Sequence, residues 1–130
     1  DTYLSVGSPI QIAAPALLER RHNLQALLLD RLRVNLHTLD AQLARQTACG
    51  RLQVDGGWYA VLRVPAIQTD EELAIRLLTE GSVLVHPGHF YDFPRDGYLI
   101  VSLITQPEIF RAGIERLLDC VNEWSGVKPK

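Results

Sequence analysis

The stretch VLVHPGHFYDFPRDGYLIVSLIT, residues 83–105, decides the fold of this 130-residue chain. Two runs rich in valine, leucine and isoleucine, 82–87 and 98–104, flank a loop that contains proline, glycine and aspartate. β-Branched and apolar runs bounded by turn-forming residues are typical of strands. The segment therefore predicts two neighbouring strands. The loop and its margins hold two histidines, two aspartates, an arginine and three aromatic residues.

The segments on either side extend this pattern. Residues 51–54 and 58–64 predict two more short strands around an Asp-Gly-Gly turn. The next helix is predicted by Thr69 and Glu72, which have the spacing of a capping box, and residues 106–124 predict a closing helix with one apolar face. The resulting order of elements predicts an α+β fold, with a small, mostly antiparallel sheet and helices packed on one face.

A long helix is predicted ahead of the sheet. Residues 16–47 are rich in good helix formers, and Gly50 is expected to end the helix. Six leucines recur there at three- and four-residue steps: Leu24, Leu28, Leu32, Leu36, Leu39 and Leu43. A shorter helix before it would be capped by Ser8 and interrupted at Pro15. At about 1.5 Å per residue the long helix exceeds what one small core needs, so we interpret it as a linker to another domain.

The composition argues against several partners. The formal net charge is −2 and the arginines are scattered, so no basic patch predicts binding to nucleic acid or to an anionic membrane. The apolar runs are too short to span a membrane, and the amino end lacks the pattern of a signal peptide. Cys49 and Cys120 have no cysteine or histidine at ligand spacing, so we expect two free thiols in a reducing, cytoplasmic environment.

Two further absences are informative: the missing methionine, in a chain that opens on Asp1, leads us to expect a piece of a longer protein, and the distribution of lysine limits the chemistry. The chain contains no methionine, and its only lysines are Lys128 and Lys130. Chemistry that needs a lysine in a pocket is therefore outside the reach of the first 127 residues. We expect three parts: the end of a preceding domain (1–15), a linker helix (16–49) and an α+β small domain (50–130).

The loop at residues 86–97 allows several interpretations from its residues alone. His86, His89 and Asp92 offer the chemistry of metal ligands, although a Pro-Gly turn does not hold both imidazoles rigidly. Acid–base catalysis also suits these residue types, but Ser102 lies inside an apolar strand and no nucleophile stands beside a histidine. Alternatively, the aromatic residues form the rim of a pocket, or they pack on the long helix.

The same residues resemble the carboxy-terminal small domain of class I/II aminotransferases, which are pyridoxal-phosphate-dependent enzymes of fold type I. EGSVLVHPGHFYDFPRDGYLIVSL is similar to the family's strand, its V-x-P-G-x-x-F turn and its next strand, which ends in R-[I/L]-S. GGWYAVLRVP resembles the strand before it. DTYLSVGSPIQIAAPALLE resembles the segment that leads from the cofactor lysine into the interdomain helix. The resemblance covers the whole chain in the right order.

This resemblance implies that the chain is about the last third of a homodimeric enzyme that moves an amino group between an amino acid and a 2-oxo acid. The lysine that binds pyridoxal phosphate, and most of the phosphate site, would lie upstream in the large domain of the same polypeptide. The chain alone is therefore expected to hold no cofactor and to be inactive.

One position departs from the family pattern. The family's carboxylate-binding arginine, two residues before the serine, is replaced here by Ile100. Isoleucine cannot replace a planar guanidinium, which makes two parallel hydrogen bonds to a carboxylate. Arg95 in the adjacent loop, and next Arg63, are the nearest replacements; otherwise the substrate is held differently.

By the same resemblance, the loop would form one wall of a substrate cleft. The candidate residues are His86, His89, Phe90 and Arg95 in the cleft, and Tyr3 and Ser8 near the subunit interface. Two other functions stay open. One is a non-enzymatic ligand-binding or dimerisation module. The other is an aminotransferase-like regulator that has lost catalysis, which Ile100 would suit.

Overall fold

The computed structural model describes residues 5–126, and the chain divides into two compact units. The first unit ends at Asp30 and the second begins at Arg31. Among the described residues, no helix is both long and apolar enough to cross a membrane.

The first unit consists of helix α1 (Ser8–Glu19) and the first turns of helix α2 (Arg21–Leu43). No residue of α1 is buried. Several large apolar side chains of this unit are exposed: Ile10, Ile12, Leu17, Leu18, Leu24 and Leu27. The unit therefore presents apolar surface along both helices.

The start of α1 differs from the prediction. Ser8 is the first helical residue and not the cap, because the N-cap is Gly7 and makes no side-chain hydrogen bond. Pro15 lies inside α1 without ending it. The helix ends instead at Glu19, and Arg20 donates its backbone N–H to the Leu17 carbonyl in a tighter turn.

The predicted helix over residues 16–47 is therefore wrong in its bounds at both ends. Its carboxyl end falls at Leu43, and Gly50 begins strand β1 (Gly50–Arg51). The side chain of Gln46 explains the early end. Its amide nitrogen donates to the Cys49 carbonyl at 2.8 Å, and its amide oxygen accepts from the Cys49 N–H at 2.7 Å, which closes a turn in place of another helical turn.

The second unit contains a four-stranded antiparallel sheet in the order β1-β2-β4-β3. Strands β2 (Tyr59–Arg63) and β4 (Tyr98–Ser102) form its centre and pair over five residues. The edge strands β1 and β3 (His86–Pro87) are only two residues long. Strands β2, β3 and β4 lie within the predicted ranges but are shorter, whereas β1 shares only Arg51 with the predicted strand over residues 51–54.

Three helices cover one face of this sheet. They are the carboxyl-terminal turns of α2, helix α3 (Asp70–Thr79) and helix α4 (Pro107–Ser125). Alternate strand residues share one core with them: Ala60, Leu62, Leu99 and Val101 from the sheet, Leu39, Leu73 and Leu77 from α2 and α3, and Phe110, Ile114, Leu117 and Val121 from α4. The predicted α+β fold, with helices on one face, is confirmed.

The predicted capping box at the start of α3 is also confirmed. Thr69 Oγ1 accepts from the Glu72 N–H at 3.2 Å, and the Glu72 carboxylate accepts from the Thr69 N–H at 3.0 Å. The Thr69 N–H, together with the Thr69 hydroxyl, which donates to the same carboxylate at 2.9 Å, lowers the pKa of Glu72 because both bonds stabilise its charged form.

The leucine stripe of α2 is buried only in its second half. Leu39 is fully buried and Leu36 packs against the core, whereas Leu24 on the same stripe is 59% exposed. The fully buried Asn35 fixes this half of the helix to the chain after β4. Its amide nitrogen donates to the carbonyls of residues 103 and 105, at 2.8 and 2.7 Å.

Strand β3 is short because the chain turns sharply before it. A Cβ atom on Gly81 would lie 2.8 Å from the Leu77 carbonyl oxygen and 3.2 Å from Cys120 Sγ, so this close approach requires glycine. Ser82 follows in the left-handed conformation, with a φ of 53°. Residues 83–85 then run without strand pairing until His86 joins β4.

Candidate functional site

The face of the sheet away from the helices carries the candidate site, and we call it the open face. Its members are Tyr59, Val61, Arg63, Tyr98, Ile100, Ser102 and His86. Ile100 stands in the middle, directly between Val61 and His86 in the strand register. Residues opposite each other in antiparallel strands point to the same face. The Ile100 side chain is only 2% exposed.

An aromatic cluster lies beside Ile100 on the open face. The rings of Tyr59, His86 and Tyr91 contact one another with centroid distances of 6.0 to 6.4 Å. His86 and Tyr91 are stacked, and His86 Nδ1 lies 3.0 Å from the Tyr91 hydroxyl. Loss of hydration and the neighbouring Tyr59 raise the pKa of Tyr91, so its hydroxyl keeps its proton at neutral pH.

Asp70, the first residue of α3, holds the loop between β3 and β4. Its side chain is buried, and Oδ1 accepts from the N–H groups of Gly97 at 2.7 Å and Tyr98 at 3.1 Å. Its own N–H donates to the Asp96 carboxylate at 2.9 Å. A Cβ atom on Gly88 would lie 2.6 Å from Asp70 Oδ2, so the Pro-Gly turn needs glycine in order to pack on this carboxylate.

Gly88–Tyr91 forms a single 3-10 turn within this loop. Asp92 ends the turn in the left-handed conformation, with a φ of 58°, and donates its N–H to the His89 carbonyl. Asp92 therefore terminates the turn. Within residues 5–126, no group of three or more His, Cys, Asp or Glu side chains is placed to hold a metal ion.

Three of the four cleft candidates lie together. Phe90 contacts the rings of His86 and His89, with centroid distances of 6.2 and 4.7 Å, and is 66% exposed. The fourth, Arg95, donates to the Tyr98 hydroxyl at 3.3 Å. Of the two interface candidates, Ser8 is exposed at the start of α1, and Tyr3 lies outside the described residues.

The two arginines nearest to hand as replacements for the family's guanidinium, Arg63 and Arg95, lie at one end of the open face. Arg63 is directly opposite Tyr98 in the strand register, and Arg95 binds the hydroxyl of the same tyrosine. Ile100 is two residues further along the strand, about 7 Å away. Neither arginine contributes to the groove that Ile100 lines.

This groove has a volume of about 370 Å³ and opens where residues 83–85 leave the sheet. We call it the edge groove. Its apolar wall includes Leu84, Val85, Ile100, Ile109 and Phe110, and its polar contributors are Tyr59, Ser82, His86, Ser102 and Thr105. Of the part of the chain that the structure describes, no aspartate, glutamate, lysine or arginine lines it. A second groove, of about 460 Å³ between α2 and α4, has charged groups of both signs, including Arg45, Arg111, Glu115 and Asp119.

The sequence analysis missed Tyr59 and Asp70 as site residues. Tyr59 looked like an ordinary strand residue, and Asp70 like one of several acids in the first turn of a helix. Their roles depend on contacts with residues 26 to 32 positions away in the chain, such as Gly97 and Tyr91, and local patterns do not show such contacts.

The comparison with solved structures found matches to this chain, whereas the two sequence comparisons did not. No protein-family model matches the sequence, and no curated protein matches it at a significant level. Among solved structures, a PLP-dependent aminotransferase from Streptococcus suis matches 91% of this chain with a TM-score of 0.80 and 21% identity. The chain has the fold of part of an aminotransferase.

Two further structures agree. LysN, an alpha-aminoadipate aminotransferase from Thermus thermophilus, matches 91% of the chain with a TM-score of 0.72 and 19% identity. YbdL from Escherichia coli, with a methionine aminotransferase function, matches 88% with a TM-score of 0.72 and 22% identity. The chain spans only 30–31% of the length of these three enzymes.

Proposed function

We propose that this chain is the carboxy-terminal part of a pyridoxal-phosphate-dependent aminotransferase and forms one wall of its substrate cleft. The observation that carries this proposal is the match of 91% of the chain, at a TM-score of 0.80, to only 31% of a PLP-dependent aminotransferase. The open face supports the assignment of the wall, because its exposed aromatic and imidazole groups are not covered by the helices that bury the other face.

The described residues do not fit pyridoxal phosphate as a covalently held cofactor. They contain no lysine, since the only two are Lys128 and Lys130 in the tail. We therefore infer that the cofactor lysine and the phosphate site belong to a large domain upstream in the same polypeptide. In this proposal residues 1–15 end that domain, 16–49 connect the two domains, and 50–130 form the small domain. This chain alone then holds no cofactor and transfers no amino group.

The exposed apolar side chains of the first unit support the proposed partners. Ile12 is 81% exposed, Leu27 is 70% exposed and Leu17 is 62% exposed, and covering such side chains stabilises a folded protein by about 1.5 to 3 kcal/mol each. We propose that the large domain and a second subunit cover them in the parent homodimer. Ser8 and Tyr3 would then lie near the subunit interface.

The test compares the full-length protein with residues 1–130 alone. Both are supplied with pyridoxal phosphate and assayed for amino transfer from a panel of amino acids to 2-oxo acids, and both are treated with borohydride to trap lysine adducts. We expect activity and a trapped upstream lysine only in the full-length protein. In the short chain, any lysine adduct can form only on Lys128 or Lys130.

A full-length protein that traps the cofactor but transfers no amino group would instead be an aminotransferase-like regulator. Ile100 is the observation that favours this second candidate, because a guanidinium is missing at the position where the family resemblance requires one. A full-length protein that traps no cofactor would contradict both candidates and favour a ligand-binding or dimerisation module.

A further inference from the structure

We propose that Asp70 is a positioning residue for the open face, which holds the turn Gly88–Tyr91 where Tyr91 meets His86. In this inference Asp70 acts through the backbone of the loop between β3 and β4 and not by contact with a substrate. The inference rests on the proposed function in one respect, because it takes the His86–Tyr91 pair as part of the substrate cleft. The contacts that carry it all lie within the second unit.

Asp70 is itself held in place. Its side chain is only 2% exposed, and it begins helix α3, whose Leu73 and Leu77 are buried in the core. Its N–H donates to the Asp96 carboxylate at 2.9 Å. A side chain that is locked by packing and hydrogen bonds fixes the geometry of the groups around it. Asp70 is therefore a rigid reference point for the loop.

The Asp70 carboxylate contacts both ends of the loop. At the end that leads into β4, Oδ1 accepts from the N–H groups of Gly97 and Tyr98 at 2.7 and 3.1 Å. At the end that follows β3, Oδ2 faces Gly88 so closely that a Cβ atom on this glycine would lie 2.6 Å away. One side chain therefore fixes where the loop leaves β3 and where it enters β4.

The 3-10 turn carries this constraint to the aromatic cluster. Gly88 begins the turn and Tyr91 ends it, so a displacement of the first residue moves the second. The Tyr91 ring stacks on His86 at a centroid distance of 6.1 Å, and its hydroxyl lies 3.0 Å from His86 Nδ1. Such a hydrogen bond is lost beyond about 3.5 Å, so a shift of the turn by more than about 0.5 Å separates the pair.

A methyl group at residue 88 tests this link without removing the carboxylate. In Gly88→Ala the new Cβ atom would lie 2.6 Å from Asp70 Oδ2 and 2.9 Å from Tyr98 Cβ, whereas ordinary contacts begin at 3.4 Å. The turn must therefore shift by about 0.8 Å, which exceeds what the stacked pair tolerates. The φ of Gly88 is not positive, so alanine adds its methyl group without backbone strain. Gly56→Ala is the matched control, because a Cβ atom there meets no heavy atom of the described residues within 4 Å, its chain neighbours apart.

The readout is the tautomer of His86 in the full-length protein. A hydrogen bond at one ring nitrogen of a histidine decides which nitrogen carries the proton. With isotope-labelled histidine, nitrogen NMR at about pH 8, where an ordinary imidazole is neutral, reports the tautomer ratio, and His86→Gln identifies the signals by their loss. Loss of a hydrogen bond of about 1 kcal/mol should change the ratio about fivefold in Gly88→Ala and in Asp70→Ala. Asp70→Asn keeps the shape and one acceptor oxygen, so its ratio should stay within about twofold of the wild type.

An unchanged tautomer ratio in Gly88→Ala would overturn the proposal. An equal change in Gly56→Ala would overturn it as well, because a methyl group far from the carboxylate would then have the same effect. Circular dichroism shows whether each variant folds. If Asp70→Ala does not fold, Gly88→Ala decides the outcome alone.

A kinetic measurement tests the role of the pair in the cleft. In an active full-length protein, Gly88→Ala should raise the KM for the amino acid about fivefold and change kcat by less than about twofold, since a displaced wall weakens binding without touching the reacting atoms. An unchanged KM beside a changed tautomer ratio would overturn this role.

The two proposals fail separately. If the tautomer ratio responds as expected but the wild-type protein transfers no amino group, the proposed function is wrong and Asp70 still positions the pair. If the wild-type protein is an active aminotransferase but the ratio does not respond, the function stands and the positioning role is wrong.

Discussion

Replacing Asp70 by alanine should release the loop between β3 and β4. The buried carboxylate accepts two backbone N–H groups, from Gly97 at 2.7 Å and Tyr98 at 3.1 Å. A hydrogen bond to a charged group contributes about 1.5 to 3 kcal/mol, and a buried N–H left without a partner costs a similar amount. Since water can enter the space left by the side chain, we take the lower end for each bond. The expected local loss is about 3 kcal/mol.

Amide hydrogen exchange measures this loss where it occurs. A loss of about 3 kcal/mol should accelerate exchange at Gly97 and Tyr98 by about 100-fold, because each 1.4 kcal/mol is a factor of ten. Asp70→Asn keeps one acceptor oxygen without its charge and should accelerate exchange by about tenfold.

Glu71→Ala is the matched control for Asp70. Glu71 is another acid in the first turn of α3, but it is exposed, so its loss removes a similar interaction with the helix end without touching the loop. Exchange at Gly97 that stays within about threefold of the wild-type rate in Asp70→Ala would refute the reasoning. Equal acceleration by both variants would show that the helix end, and not the loop contact, is responsible.

Three further predictions concern stability and reactivity. Thr69→Ala removes the cap of α3 and should lower the free energy of unfolding in urea by about 1 kcal/mol, while Thr79→Ala near the other end of the helix should have less effect. Asn35→Ala leaves the carbonyls of residues 103 and 105, the first buried and the second partly buried, without this donor and should cost about 2 to 3 kcal/mol in the same assay; a loss below about 0.5 kcal/mol would contradict its role. Burial raises the pKa of Cys49 to about 11, so at about pH 8 mass spectrometry should find it alkylated far more slowly than the less buried Cys120. Because the unfolded chain releases this proton first, near a pKa of about 8.5, stability should fall as the pH rises from there towards 11.

The sequence predicted those parts of the fold that local patterns determine. The capping box at Thr69, the alternation in β2 and the apolar face of α4 each depend on residues within a few positions of one another, and all three are present. The resemblance to aminotransferases rested on the order of such segments, and the structural comparison agrees with it.

The predicted helix bounds were wrong where local hydrogen bonds replace the regular helical pattern. The amide of Gln46 replaces a helical turn by a side-chain turn, and Arg20 interrupts a run of good helix formers. Asp70 reaches across 27 residues to Gly97, a distance that no local pattern describes. Of the predicted cleft residues, Phe90 contacts both His86 and His89, and their role in a substrate cleft stays a prediction.

The two-residue edge strands have a consequence for how this chain associates with copies of itself. A foreign strand extends a sheet only if the edge offers a run of free N–H and C=O groups. Here each edge offers two residues, and at one edge Pro87 has no N–H at all. Fibre growth by backbone pairing at these edges is therefore disfavoured. Aggregates of the isolated chain should instead form through the apolar side chains of α1 and α2 and dissolve in mild detergent.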